Sequence, residues 1–159
     1  MFKKFERTEY PPVENTMVWD GECGFCKYWI THWQQLTEAS ITYKTYQEVA
    51  SNFPDIPLKE FKKASRLIET DGSVFSGPDS AFRSFTHSKK SNIWHSWYHK
   101  YRWFQKACDH SYNHIAKNRS FYYRLTVLAF GRNPKKLRPY WLIYLFIVIA
   151  IAVSISLIL

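Results

Sequence analysis

The sequence predicts a layered α/β fold: a mixed sheet with flanking helices, extra helices toward the C-terminus and one transmembrane helix. Three observations carry that expectation. Met17-Val18-Trp19 is a short apolar run closed by the turn residues Asp20-Gly21-Glu22, and helical spacing follows at once. Asp71-Gly72 stands between two apolar runs, the strongest short-range signal for a hairpin. Residues 140–159 then run for twenty positions without a charge.

A chain of 159 residues holds one domain and an appendage. With 46% apolar and 19% aromatic residues it can build a core, while a net charge of +9 calls for a partner or a surface. Three cysteines, and an N-terminus beginning Met1-Phe2-Lys3-Lys4 without an apolar signal region, argue against a disulfide scaffold. The basic residues form no repeated module with aromatics, so no nucleic-acid partner is expected.

Taken in order, residues 1–12 read as a flexible lead that ends at Pro11-Pro12. Residues 13–19 enter the first strand, and 24–38 form a helix whose apolar positions include Phe25, Tyr28, Trp29, Trp33 and Leu36. Trp29 and Trp33 are core residues on this reading, and His32 is a packed group and not a ligand. Residues 41–46 alternate as a second strand. Short helices broken by Pro54 and Pro57 fill 47–63. Residues 65–70 and 73–76 are the hairpin strands. Gly77-Pro78-Asp79-Ser80 opens a helix to Thr86, with Ala81, Phe82 and Phe85 on one side. A helix between the first two strands makes them parallel, whereas the hairpin is antiparallel.

The chemistry gathers where the first strand hands over to the first helix, at Cys23-Gly24-Phe25-Cys26. Helix starts leave backbone N–H groups unpaired and carry the positive end of the helix dipole, so a thiolate is stabilised there. Cys23 is therefore the more acidic sulfur and the attacking group, and Cys26, one turn on, resolves the mixed disulfide. Gly24 leaves room for a substrate backbone, and Phe25 covers one side of the pair. Half a zinc site or a structural disulfide fits the spacing too, whereas a c-type haem does not, because residue 27 is Lys. Asp20 either passes a proton to or from the second thiol or bonds the N–H groups of the turn. Glu22 is expected to face solvent, since its charge would oppose a Cys23 thiolate.

A dithiol at the first strand-to-helix junction of such a unit is the thioredoxin-like arrangement. Asp20-Gly21-Glu22-Cys23-Gly24-Phe25-Cys26 after an apolar strand resembles the signature of the DCC family of predicted thiol-disulfide oxidoreductases, named for its Asp-x-x-Cys-x-x-Cys motif. The Asp71-Gly72 hairpin, the 77–81 segment, Ala116-Lys117-Asn118-Arg119 and Phe130-Gly131-Arg132 are also similar to that family, so the likeness covers residues 13–132. It implies a thioredoxin-like fold and dithiol chemistry with Asp20, Cys23 and Cys26 as the catalytic residues, and neither cofactor nor metal. One departure stands out: thioredoxins place a cis-proline before the first hairpin strand, and here Ala64-Ser65 holds that place.

Residues 91–118 carry Trp94, Trp97, Tyr98, Tyr101 and Phe104, expected on one helical face that packs on the domain or lies at a membrane surface. His95 with His99, and His110 with His114, are four apart and could each clamp a metal, but neither pair has a matched third ligand in the sequence. Cys108 reads as a packed thiol. A basic linker over 133–139, with Arg132 before it, leads into 140–159, which is long enough for the roughly 30 Å hydrocarbon core of a bilayer. Tyr140, Trp141 and Tyr144 suit an interface, and the basic flank keeps the catalytic domain cytoplasmic. The expectation is thus a single-pass membrane protein, anchored in lipid through 140–159, that exchanges disulfides with a thiol- or disulfide-bearing substrate. A metal-binding module and a non-catalytic membrane-tethered scaffold are the alternatives.

Overall fold

The computed structural model describes residues 1–37, 39–88 and 93–158, with the side chains of residues 152 and 155–158 left out. Glu38, Ser91 and Leu159, at which elements were expected to begin or end, lie outside the described residues. β1 (Thr16–Trp19) pairs in parallel with β2 (Thr42–Thr45), and α1 (Gly24–Thr37) makes the crossover between them. β3 (Arg66–Ile68) runs antiparallel to β1, and β4 (Val74–Ser76) antiparallel to β3, giving the order β2-β1-β3-β4.

Successive side chains of a strand face opposite ways, and β1 uses both. Met17 packs with Ile30 of α1, Ile41 and Leu67 on one face. Val18 packs with Phe53, Ile56, Phe61, Ile68 and Val74 on the other. α1 and α4 (Pro78–Thr86) cover the first face, meeting through Trp33 and Phe85, whose rings are 6.1 Å apart. The second face is covered by α2 (Tyr46–Val49), a 3-10 turn over Ala50–Asn52 and α3 (Leu58–Lys63). α5 (Trp94–Lys100), α6 (Arg102–Lys117), α7 (Arg119–Phe130) and α8 (Tyr140–Ile158) complete eight α-helices among the described residues. A four-stranded mixed sheet with helices on both faces fits a thioredoxin-like fold.

Residues expected to be a flexible lead are tied down. Phe2 is buried against Gly77, whose φ of 62° and contact with the Phe2 ring leave no room for a Cβ. Thr8 N–H donates to Gly72 O (2.8 Å) and Val74 N–H to Glu6 O (2.9 Å), so the open edge of β4 is partly covered. Lys4 Nζ reaches Asp109 at 2.5 Å and the Tyr98 hydroxyl at 2.7 Å, which joins the N-terminus to α5 and α6.

Arg66 is fully buried in β3. Its guanidinium donates to the Ser76 hydroxyl and to the carbonyls of Lys3 and Glu60 (3.1 Å each), lies 3.7 Å from the Glu60 carboxylate, and stacks over Phe5 at 4.9 Å. Burial lowers its pKa to about 10, with the Glu60 charge opposing the shift.

Two expectations are corrected. The aromatic residues of 94–104 do not share one helical face. The backbone is extended at Tyr101 (φ −112°, ψ 106°), which ends α5 and restarts the chain as α6, so helical phase is lost between them. Tyr98 alone of the set is buried, while Trp94, Trp97 and Tyr101 are exposed and cluster with Phe104, onto which Trp94 stacks at 6.0 Å.

The transmembrane anchor is the second. Among the described residues no helix is long and apolar enough to cross a membrane. The single-pass topology and the cytoplasmic orientation derived from it fall with the anchor, and the lipid partner expected through 140–159 is not shown.

Replacing Arg66 by Ala empties a buried site and removes a partner from buried Glu60. We expect a loss of about 3 kcal/mol in unfolding free energy by urea titration, with the denaturant slope unchanged.

Candidate active site

β1 ends at Trp19, and the turn that follows presents both cysteines at the tip of α1. Cys23 N–H donates to Asp20 O (3.2 Å), and Cys23 O accepts the N–H of Lys27 (2.9 Å), so Cys23 stands at the helix cap. The Cys26 N–H points back at Cys23 Sγ, 3.1 Å away. Both are free, half-buried thiols. The hydrogen bond from the Cys26 thiol lowers the pKa of Cys23 to about 6, helped by that backbone N–H and by the Arg119 charge, against burial and Asp20. Cys26 moves the other way: its own hydrogen bond to Cys23, burial and the neighbouring Cys23 charge all hold it protonated. The pair is thus asymmetric, with Cys23 favoured as the thiolate and Cys26 held as the thiol.

Asp20 is clamped from three sides. Oδ1 accepts the Glu22 N–H (3.2 Å) and the Gln47 side-chain amide (3.3 Å), and Oδ2 accepts Arg119 Nη1 at 2.8 Å. Bonding to the turn, one of its two expected roles, is thus present. Arg119 Nη2 also donates to the carbonyls of Lys62 (3.0 Å) and Lys63 (3.4 Å), which end α3. Glu22 is exposed, and at Gly24 an added Cβ meets nothing within 4 Å. Arg119 was missing from the expected site residues, although the 116–119 segment pointed to it; ninety-nine positions separate it from Asp20, and only the turn between α6 and α7 brings it there.

Two cavities meet at the pair. Cys23 lines one of about 370 Å³ bordered by charged side chains, with Glu22, Ser120, Tyr123 and Arg124. Cys26 lines an apolar one of about 460 Å³, walled by Trp29, Trp33, Phe82, Tyr112 and Ile115. Asp20, Phe25 and Arg119 border both. At the place where thioredoxins carry cis-proline, the Ser65 N–H donates to the Tyr112 hydroxyl (3.0 Å), and the Ser65 hydroxyl lies 2.9 Å from that of Ser80.

The remaining candidates lie elsewhere. Cys108 is half-buried on the wall of the apolar cavity, where burial raises its pKa. His32 Nδ1 sits 3.2 Å from Pro134 O, and the His114 ring packs 5.9 Å from Tyr122. His110 is exposed on α6. His95 and His99 converge on Asp79. Among the described residues, neither Cys23 nor Cys26 belongs to a group of three side chains that could hold a metal.

A Cys-x-x-Cys at the tip of the crossover helix, on this sheet, defines a thioredoxin-like dithiol protein. The model of the DCC1-like thiol-disulfide oxidoreductase family matches residues 17–125, and the chain belongs to that family. It is on that ground an oxidoreductase, and the family implies thiol-bearing substrates. No curated protein and no solved structure gives a significant match.

The lowered Cys23 pKa makes alkylation by iodoacetamide at Cys23 proceed with a midpoint near pH 6, falling away below it as the sulfur is protonated and level above it. In Arg119→Ala the midpoint moves upward toward the ordinary thiol value, because a charge favouring the thiolate is gone. Mass-mapped alkylation rates across pH 4–9 check both.

Proposed function

We propose that the chain catalyses dithiol–disulfide exchange, with Cys23 attacking and Cys26 resolving. The observation that carries this reading is the donation from Cys26 N–H to Cys23 Sγ at the helix tip, 3.1 Å long. The Cys23 thiolate attacks one sulfur of a substrate disulfide; that S–S bond breaks, and the departing substrate thiolate takes a proton from water. Once Cys23 is in the mixed disulfide its charge is gone, and with it a cause of the raised Cys26 pKa, while Arg119 still favours the Cys26 thiolate. Cys26 then loses its proton, through Asp20 and water or directly to solvent, and attacks Cys23 Sγ. The second substrate thiol leaves, and two electrons have passed from the pair to the substrate. An external thiol closes the cycle by reducing the Cys23–Cys26 disulfide. Arg119 acts as a positioning residue, and Asp20, besides taking part in proton transfer, holds the turn with it; both set the field at the two sulfurs. The apolar cavity beside Cys26 supports a substrate with an apolar group next to its disulfide.

Removing the resolving thiol should stall the reaction halfway. Cys26→Ser, incubated with a disulfide substrate such as oxidised glutathione, is expected to accumulate an adduct on Cys23 that dithiothreitol releases. Folded Cys26→Ser without any adduct would count against the reading.

A stabilised thiolate favours the reduced pair and so raises its potential. Attacking thiols of pKa near 7 and near 3.5 accompany potentials of about −270 and −120 mV in well-characterised dithiol proteins. With Cys23 at about 6, the couple is expected above about −270 mV when equilibrated with glutathione redox buffers.

A further inference from the structure

Asp79, His95 and His99 come together away from the dithiol. Asp79 lies in the first turn of α4 with its side chain 11% exposed. His95 and His99 are one turn apart on α5 and present the same face, with ring centroids 4.6 Å apart. His95 Nδ1 is 2.9 Å from Asp79 Oδ1, and His99 Nε2 is 3.0 Å from Oδ2. All three ligand atoms fall within 4.8 Å of one another. The third ligand that the histidine pair lacked in the sequence is thus supplied from another helix.

We propose that Asp79, His95 and His99 form a binding site for a divalent transition-metal ion of the zinc class. Donor atoms around one tetrahedral zinc stand about 3.4 Å apart; the two oxygen-to-nitrogen distances are within about half an ångström of that, and the two nitrogens, no more than 4.8 Å apart, close on each other by side-chain rotation. No redox change is involved. Each imidazole would bind through the facing nitrogen and carry its proton on the other, Nε2 of His95 and Nδ1 of His99, with a carboxylate oxygen of Asp79 as the third donor. Two imidazoles and a carboxylate are the borderline nitrogen and oxygen set that selects such ions over calcium or magnesium. The nearest strong cation of α4, Arg83, is committed to Glu69 through bonds of 2.7 and 2.9 Å, which leaves the Asp79 charge for an ion. Burial and exposure are graded across the ligands: the Asp79 and His95 side chains are 11% and 19% exposed, and His99 is 53% exposed. The fourth position therefore opens toward solvent, where water completes the tetrahedron. A bound ion would fasten α5 to the start of α4, whose Pro78 lines the apolar cavity beside Cys26.

Zinc can also bind the Cys23 and Cys26 thiolates, so the test uses the full chain carrying Cys23→Ser and Cys26→Ser. Titrated with zinc against a chromophoric chelator, this protein is expected to take up one equivalent, and cobalt(II) in its place to give visible d–d bands without the thiolate charge-transfer band. His99→Ala on the same background should weaken uptake at least tenfold, with Asp79→Asn doing the same. His99 is largely exposed, so its variant keeps the fold, which circular dichroism checks, and decides the matter if Asp79→Asn does not fold. Absence of uptake, or uptake that His99→Ala leaves unchanged, overturns the proposal. Neither outcome depends on the disulfide-exchange reading, because both active-site sulfurs are already removed.

Discussion

The ion pair between Asp20 and Arg119 is the constraint on which the site depends. At 2.8 Å it joins the turn after β1 to the start of α7, and the second guanidinium nitrogen caps the carbonyls that end α3. One side chain thus fastens three elements around the dithiol. It does so with both partners largely withdrawn from solvent, at 22% and 18% side-chain exposure, where a paired charge is worth more than at the surface. Without it the start of α7 would lose its charged contact with the turn after β1, and the sulfurs a cation that favours the thiolate.

The asymmetry of the two thiols follows from placement rather than from composition. Both lie at the same helix tip, yet one accepts hydrogen bonds at its sulfur and the other donates, so a small difference in position becomes a large difference in acidity. The surroundings repeat that polarity. A charged cavity opens at Cys23 and an aromatic one at Cys26, with Phe25, Asp20 and Arg119 between them. The Ser65 N–H beside the pair is taken by the Tyr112 hydroxyl.

Much of this was legible in the chain. The strand before Asp20, the helix after Cys23, the Asp71-Gly72 hairpin and the parallel crossover all follow from short-range signals, because apolar periodicity and turn chemistry act over a few residues. Other features were misread for equally physical reasons. Helical spacing across 94–104 fails since an extended Tyr101 resets the phase. Residues 1–12 look polar and loose, yet Phe2 finds Gly77 and Lys4 finds Asp109, contacts that local pattern does not encode. Uninterrupted apolarity over 140–159 suggested a membrane span, whereas among the described residues no helix is long and apolar enough to make one.

The sequence alone determined the dithiol and its helix-tip setting, since four consecutive residues and their flanking periodicity suffice for both. It determined the parallel crossover and the antiparallel hairpin as well, through the order of its elements, while the place of β3 beside β1 came from the fold. Tertiary structure alone decided which groups surround the sulfurs and what the histidines face: Arg119 comes to Asp20 from ninety-nine residues away, and Asp79 meets His99 across twenty. Such pairings depend on how helices pack, and packing joins residues whose separation along the chain carries no periodic signal.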